Sequence, residues 1–257
     1  MRLMQSGLSP YRVEKILGIP AATLRGWLRR GRKPPATHWE PRPSPETAYV
    51  LGVLLGDGCV IHKRNGTCFI RLVAVDYEFV YEFSRNLAAT LGKPTKKPYK
   101  IRRKESQRDL WAVSYGSKAF YSWYKPLHDA VVRGNVDALK QYVEVEHNKE
   151  IVRKFLRGLF DSDGSHYCRP LSPGKLSYIR FYNTNKVLVL YVQYLLQRYF
   201  SICSRIYEDR YGKRQGHKVC YVLTIYPQPY VKRFLAEIGF TIVRKQRGGR
   251  WSPAPNP

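Results

Sequence analysis

Two segments of the chain share one design, VLGVLLGDG at residues 50–58 and LRGLFDSDG at residues 156–164. Each is an apolar stretch of helical character that ends in Asp-Gly, at Asp57 in the first copy and at Asp163 in the second. The residues after each copy also follow a similar order of strands and helices. The sequence therefore predicts two similar halves rather than one continuous domain.

Small residues recur four apart within both copies. Gly52 and Gly56 share one helix face, as do Gly158 and Ser162 in the second copy. Glycine inside a helix costs about 1 kcal/mol relative to alanine, so two in one turn need a reason. Small residues on one face let two helices approach closely. We expect the two segments to pack side by side as helices and to bring their terminal aspartates together.

The downstream pattern predicts one αββαββα unit in each half. After the first copy we expect strands at 59–63 and 68–75, a helix at 77–91, strands at 99–104 and 110–115, and a helix from Ser117 through Trp123. The expected fold class is α+β, with two pseudo-symmetric halves, saddle-shaped antiparallel sheets, helices on their backs and a small N-terminal helical hairpin. The expected boundaries are 46–130 for the first half, 131–150 for a connector and 151–257 for the second half.

The N-terminal residues form a region of their own. Residues 1–31 resemble a helix-turn-helix, with Ser9 as a cap, a break at Gly18 and exposed arginines on the second helix. A plain helical hairpin fits the same pattern equally well. Residues 32–45 contain five prolines and several basic residues, which predicts an extended linker.

The charge balance constrains the partner. The chain has 45 Lys and Arg against 19 Asp and Glu, a formal net charge of +26. Such an excess favours a nucleic acid over the alternatives of a ribosomal-type protein, a membrane-surface protein or a thermophile surface. Five scattered cysteines without CxxC spacing fit thiols in a reducing cytoplasm. We expect a cytoplasmic protein with no membrane segment.

The paired segments resemble the nine-residue motif of the LAGLIDADG homing endonucleases, and the second copy departs from it at three positions. The resemblance covers roughly residues 46–240. It implies a single-chain, two-motif, monomeric enzyme of the archaeal-intron type that cuts a long, asymmetric double-stranded DNA site. It also implies that Asp57 and Asp163 each serve one strand of the duplex.

Two crowded carboxylates at negative helix ends repel each other, and a divalent cation resolves the conflict. Oxygen ligands of this kind suit Mg²⁺ (or Mn²⁺), which supports phosphodiester hydrolysis. Asp57 and Asp163 are the predicted catalytic and metal residues, and the backbone carbonyls of Gly58 and Gly164 are further candidate ligands. For a single copy, an ordinary Asp-Gly turn would be the better interpretation.

Basic and aromatic residues alternate along several predicted strands, which indicates faces that could lie in the major groove of DNA. We expect Lys100, Arg102 and Lys104 on one face of their strand, with Tyr99 and Ile101 on the other. The predicted DNA-binding residues are Arg71, Lys100, Arg102, Lys104, Tyr178, Arg180, Tyr182, Arg205, Tyr207 and Lys218.

The sequence departs from the family in lacking a clear lysine or glutamine to organise the hydrolytic water. His166, Lys63 and Asn183 are candidates for that outer network. Two other functions stay open, an intron RNA maturase and a non-catalytic DNA-binding regulator on the same scaffold. Neither has a use for two crowded carboxylates, so both aspartates favour the nuclease.

Overall fold

The computed structural model describes residues 7–17, 19–29, 41–101, 109–170, 175–209 and 218–248. The chain divides into two compact units, Met1–Trp39 and Glu40–Pro257. In the first unit, helix α1 (Pro10–Leu17) and helix α2 (Ala21–Arg29) form a helical hairpin. Val13 and Leu24 are buried, whereas Ile16 and Leu28 are exposed. The predicted helices are present, and the hairpin's role in DNA binding stays a prediction.

The first half of the second unit follows the predicted order. Ser44 caps its first helix by accepting a hydrogen bond from the backbone N–H of Thr47 at 3.1 Å, and Pro45 occupies the favoured first position. The elements are α3 (Pro45–Leu54), β1 (Cys59–His62), β2 (Cys68–Ala74), α4 (Tyr77–Leu91), β3 (Tyr99–Ile101), β4 (Leu110–Gly116) and α5 (Lys118–Val132).

The second half repeats that order and adds a short last helix. Its elements are α7 (Lys149–Asp163), β5 (Gly164–Pro170), β6 (Lys175–Asn183), α8 (Lys186–Phe200), β7 (Arg205–Asp209), β8 (Cys220–Ile225), α9 (Gln228–Glu237) and α10 (Val243–Arg247). The connector contains α6 (Asp137–Val143) and a 3₁₀ turn (Val145–His147). Glu144 ties this connector to α8 by accepting hydrogen bonds from the hydroxyls of Tyr191, Tyr194 and Tyr199.

Each half contains one four-stranded antiparallel sheet. The strand orders are β1-β2-β4-β3 and β5-β6-β8-β7, so the two sheets have the same topology. Central strands alternate as half-buried sheets do: Ile179 and Phe181 are fully buried beneath the helices, while Arg180 between them faces the other way. The predicted fold class, two repeated α+β halves, is confirmed.

The core lies between the sheets and the helices, and the two motif helices pass through its centre. All residues of α3 from Thr47 to Leu54 are buried, and α7 buries a stripe that includes Phe155, Leu159 and Phe160. In the described part of the chain, no helix is both long and apolar enough to cross a membrane.

Candidate metal centre and nucleic-acid interface

The two motif helices, α3 and α7, touch through their small residues. A Cβ atom on Gly52 would overlap the carbonyl oxygen of Phe155, and one on Gly158 would overlap the carbonyl oxygen of Tyr49. One turn further on, a Cβ on Gly56 would overlap the side chain of Ser162. Side chains larger than hydrogen at the two crossing glycines are therefore incompatible with this backbone separation.

The close crossing brings the two helix ends to one place. Helix α3 ends at Leu54 and turns, with the N–H of Gly58 bonded to the carbonyl of Val53 at 2.9 Å. Helix α7 instead continues through Asp163 and passes directly into β5. The carboxylate Oδ2 of Asp163 lies 3.2 Å from the point where a Cβ of Gly56 would stand. The second motif aspartate thus sits against the end of the first motif.

The electrostatics reflect this crowding. Loss of surrounding water and, to a smaller extent, the charge of Asp57 together raise the pKa of Asp163 to about 6. A hydrogen bond from the Asn183 amide to Asp163 Oδ2, 3.1 Å long, opposes the rise. The pKa of Asp57, the more exposed of the two, is also raised by desolvation, and the ammonium of Lys245 lowers it. The hydrogen-bond donors and positive charges of the protein therefore do not fully offset the negative charge of the two carboxylates.

This donor set fits a hard divalent cation. The described residues contain no group of three or more His, Cys, Asp or Glu that could hold a metal, so an ion here would rest on the two carboxylates, backbone oxygens and solvent or phosphate. Mg²⁺ accepts such incomplete protein coordination because it keeps several waters. Gly58 and Gly164 directly follow the aspartates, and a Cβ on Gly164 would overlap the backbone of Phe160.

The three candidates for the outer solvent network differ in position. Asn183 contacts Asp163, as described above. His166 is buried and is held between the Ser177 hydroxyl (2.8 Å) and the carbonyl of Lys245 (2.9 Å), which gives it a structural role. Lys63 follows the far end of β1, with its ammonium 5.0 Å from the centre of the Phe69 ring.

A buried carboxylate that the sequence argument passed over lies beside this site. Asp161 is almost fully buried and accepts hydrogen bonds from the Tyr49 hydroxyl (2.9 Å) and the backbone N–H of Thr241 (2.8 Å). It therefore joins three segments: the first motif helix, the second motif helix and the C-terminal segment. Burial raises the pKa of Asp161, and these hydrogen bonds oppose the rise.

Lys245, in the last helix, is the second residue that was missed. Its ammonium donates to the carbonyls of Phe160, Asp161 and Ser162 in the last turn of α7. Burial lowers its pKa to about 8, while the charge of Asp161 opposes the shift. Lys245 lines a cavity of about 340 Å³, and Asp57, Asp76 and Arg244 are among the other residues that line this cavity.

The second sheet has an open face rich in arginine and tyrosine. Arg180 lies between Ser165 and Thr224 on the neighbouring strands, and Arg205 lies beyond Thr224. Tyr182 and Tyr207 form the next row of the same face, one on each side of Val222. The guanidinium of Arg180 stacks over the Tyr178 ring at 4.6 Å from its centre. Lys218 is exposed just before β8.

The first sheet carries a matching arginine. Arg71 lies between Cys59 and Ser114, as Arg180 lies between Ser165 and Thr224. Cys59 and Ser165 each follow a motif aspartate by two residues, so the two arginines occupy equivalent places. Within the described residues, the Nε atoms of both arginines are enclosed and have no hydrogen-bond partner. Such unsatisfied donors are costly unless a ligand pairs with them.

The predicted face of Lys100 is wrong. Lys100 pairs with Trp111, which pairs with Ala74, so it lies on the helix side of the first sheet. There its ammonium contacts Asp109 at 2.7 Å and the Trp111 ring. Tyr99 occupies the open face instead. The strand at the sheet edge is only three residues long, so the alternation of polar residues alone did not identify which side of the strand faces the helices. Arg102 and Lys104 lie outside the described residues.

The second sheet also contains a larger cavity, of about 700 Å³. It is lined by Arg180, Arg205, Ser204 and Thr224, together with tyrosines, Cys203 and Pro227. The hydroxyls of Ser204 and Thr224 are enclosed and, like Arg180 Nε, have no hydrogen-bond partner among the described residues. Polar atoms of this kind await a hydrogen-bonding ligand or water.

Several known proteins are similar to this chain in sequence or in fold. An uncharacterized protein of Methanocaldococcus jannaschii is 35% identical over 147 residues, which are 57% of this chain and 51% of that protein. The chain thus spans about half the length of this relative. The homing endonuclease I-WcaI, solved bound to its DNA recognition sequence, superposes with a TM-score of 0.51 and 16% identity over 81% of this chain and 88% of that one.

Mesophilic variants of the homing endonuclease I-DmoI superpose with a TM-score of 0.47 and 20% identity, over 76% of this chain and 95% of that chain. The sequence profile of the LAGLIDADG-like domain matches residues 44–135 and 150–239, one span in each half of the molecule. The chain therefore belongs to the LAGLIDADG-like family.

Proposed function

We propose that this chain is a metal-dependent endonuclease that hydrolyses both strands of a long, asymmetric DNA site. The observation that carries the proposal is the meeting of Asp57 and Asp163 at the ends of two helices packed through Gly52 and Gly158. The backbone holds these carboxylates near each other although burial and then the charge of Asp57 raise the pKa of Asp163. A fold that needed only to bind nucleic acid would gain nothing from this arrangement.

The roles of the residues follow from their positions. Asp57 and Asp163 would hold Mg²⁺ or Mn²⁺, with the carbonyls of Gly58 and Gly164 as further candidate ligands. A bound divalent ion activates water and stabilises the leaving oxygen in phosphodiester hydrolysis. Asn183 fixes the Asp163 carboxylate through its amide, so the metal ligand keeps one orientation.

The open faces of the two sheets would hold the DNA duplex. Arg71 and Arg180 stand at equivalent places, and the Nε donor of each has no hydrogen-bond partner among the residues that the structure describes. Arginine reads guanine edges in the major groove, and lysine and arginine contact phosphates. The net charge of +26 supports a polyanionic partner. I-WcaI, which shares the fold, binds a DNA recognition sequence. A monomeric state, an intron-borne reading frame and a cytoplasmic location stay predictions.

The test is a cleavage assay on a duplex made by joining the genomic sequences that flank the element encoding this chain. Wild-type protein is compared with Asp57→Asn and Asp163→Asn, in Mg²⁺ and in EDTA. Asp137→Asn is the matched control, because that carboxylate is exposed on α6 and pairs with Lys140. We expect wild type and control to cut both strands in Mg²⁺, and both site variants to bind this DNA without cutting it.

Cleavage by Asp163→Asn at the wild-type rate would refute the proposed site. Binding of this duplex by the wild type without cutting in Mg²⁺ or Mn²⁺ would refute the nuclease. In that case, tighter binding to the corresponding intron RNA would support a maturase, and preference for duplex DNA would support a regulator.

A further inference from the structure

The last turn of α7 presents carbonyl groups that need partners. A helix leaves its final carbonyls without intrahelical donors, and here the chain passes into β5 at Gly164 with no intervening loop. The Lys245 ammonium fills this role for Asp161 (2.5 Å) and Ser162 (3.1 Å), and it also donates to Phe160 (3.3 Å), whose carbonyl accepts the N–H of Gly164 as well. Lysine has three donors, so the donors of Lys245 are fully engaged on α7.

The equivalent end of α3 is capped differently. The hydroxyl of Tyr124 donates to the carbonyl of Leu54 at 2.9 Å. Tyr124 is buried, and its burial raises its pKa, so this cap is neutral. The two motif helices therefore end in different electrostatic environments, one beside a phenol and one beside an ammonium. The cationic cap lies one residue before Asp163.

The position of Lys245 is fixed by its neighbours. Its own carbonyl is bonded to His166 at 2.9 Å, and the preceding Arg244 forms a bidentate pair with Asp76 of the first half at 2.8 and 2.7 Å. Helix α10 thus contacts both halves at the level of the motif aspartates. It also lies beyond residue 239, where the family match ends, so this cap is supplied by a segment outside the shared domain.

We propose that Lys245 is a positioning residue for the metal centre, acting through the last turn of α7 on the Asp163 carboxylate. The proposal rests on the proposed function, since it takes Asp57 and Asp163 as the metal ligands. It makes the C-terminal helix a working part of the centre rather than a surface addition. Without the cap, the turn that carries Asp163 would lose three hydrogen bonds and change the direction of the carboxylate.

The affinity for Mn²⁺ distinguishes a positioning role of Lys245 from a purely electrostatic one. Removing a cation beside two carboxylates would tighten Mn²⁺ binding if charge were its only contribution. Loss of a group that orients a metal ligand typically weakens binding about 10–100-fold. We therefore expect Lys245→Met to bind Mn²⁺ at least about tenfold more weakly than wild type. Lys245→Arg keeps a cation and several N–H donors, and should recover most of the affinity.

The experiment titrates Mn²⁺ into the full chain and follows free Mn²⁺ by electron paramagnetic resonance. The matched control is Lys154→Met, because Lys154 lies on α7, the helix that Lys245 caps, is largely buried and pairs with Glu82 at 3.2 Å instead of with the last turn of that helix. It should leave Mn²⁺ binding unchanged. Circular dichroism confirms folding, and if Lys245→Met does not fold, the neutral Lys245→Gln replaces it with the same expected direction.

Equal or tighter Mn²⁺ binding by folded Lys245→Met or Lys245→Gln would overturn the positioning role while leaving the proposed function intact. Failure of Lys245→Arg to recover affinity lost in the neutral variants would also count against it. A wild-type protein that binds no Mn²⁺ would instead overturn the proposed metal centre itself, and with it this inference.

Discussion

Replacing Asp163 by asparagine should stabilise the metal-free protein at neutral pH while abolishing cleavage. The pKa of Asp163 is raised from 3.8 to about 6 by burial and by Asp57. A group whose pKa is raised on folding favours the folded state below its unfolded pKa, and this contribution is lost as pH rises through the folded value. A shift of about two units at roughly 1.4 kcal/mol per unit corresponds to about 3 kcal/mol above pH 6.

Asp163→Asn removes this cost and can keep the hydrogen bond from Asn183 through its amide oxygen. We expect an increase of up to about 3 kcal/mol in the free energy of unfolding at pH 7.5 in EDTA, or a rise in Tm of roughly 5–10 °C for a domain of this size. The gain should shrink as pH falls through 6 and vanish near pH 4. Mg²⁺ should stabilise wild type and narrow the difference.

The assay is thermal unfolding followed by circular dichroism from pH 4 to 8, in EDTA and in Mg²⁺. Asp137→Asn is the control, because its carboxylate is exposed and paired with Lys140; it should not raise Tm. If Asp163→Asn is less stable than wild type at pH 7.5 in EDTA, or if its gain is the same at pH 4 and pH 7.5, burial and the charge of Asp57 do not disfavour the ionised Asp163 carboxylate as described.

Three further changes test other parts of the account. In a urea titration, Gly52→Ala or Gly158→Ala should lower the free energy of unfolding by about 3 kcal/mol or more, because the added Cβ meets backbone atoms of the facing helix. Gly26→Ala is the control, because Gly26 has open space around it, and this change should be neutral or stabilising in the same titration. Tyr49→Phe removes a donor to buried Asp161 and should cost about 1.5–3 kcal/mol in the same measurement; an unchanged midpoint would rule out that bond's importance. Arg180→Met should weaken binding of duplex DNA by about 1–3 kcal/mol in fluorescence anisotropy at fixed salt, and Arg85→Met, an exposed residue paired with Glu82, should not; equal effects would argue against the open face as the interface.

The motif helices and their aspartates could be predicted because the pattern that identifies them lies within a few consecutive residues. Spacing alone placed Gly158 and Ser162 on one face of α7, and the duplicated motif indicated the symmetric partner. The same spacing predicted Gly56 on the helix face of Gly52, but α3 ends at Leu54, so Gly56 contacts Ser162 from the turn that follows. The sheets followed from alternation, since β6 was predicted at residues 175–183 and is observed at Lys175–Asn183. Patterns of this kind depend on neighbours within one or two turns of helix or along one strand.

Other features depend on contacts distant in the chain. Lys245 acquires its role by bonding carbonyls more than 80 residues earlier, and its basic surroundings in the sequence indicate only a solvated helix. The helix expected to end at Trp123 continues to Val132 with Pro126 inside it. A buried stripe of Phe120, Tyr124, Leu127 and Val131 offsets the cost of the proline, about 3 kcal/mol in a helix interior.

The central claim is that one divalent cation site lies between the two motif aspartates. Crystals of the wild-type protein grown with Mn²⁺, measured at the manganese absorption edge, would locate the ion by its anomalous scattering. We expect a peak in contact with the carboxylates of Asp57 and Asp163, and its loss in the Asp57→Asn, Asp163→Asn double variant. A wild-type map with Mn²⁺ bound elsewhere, or a peak that persists in the double variant, would contradict it.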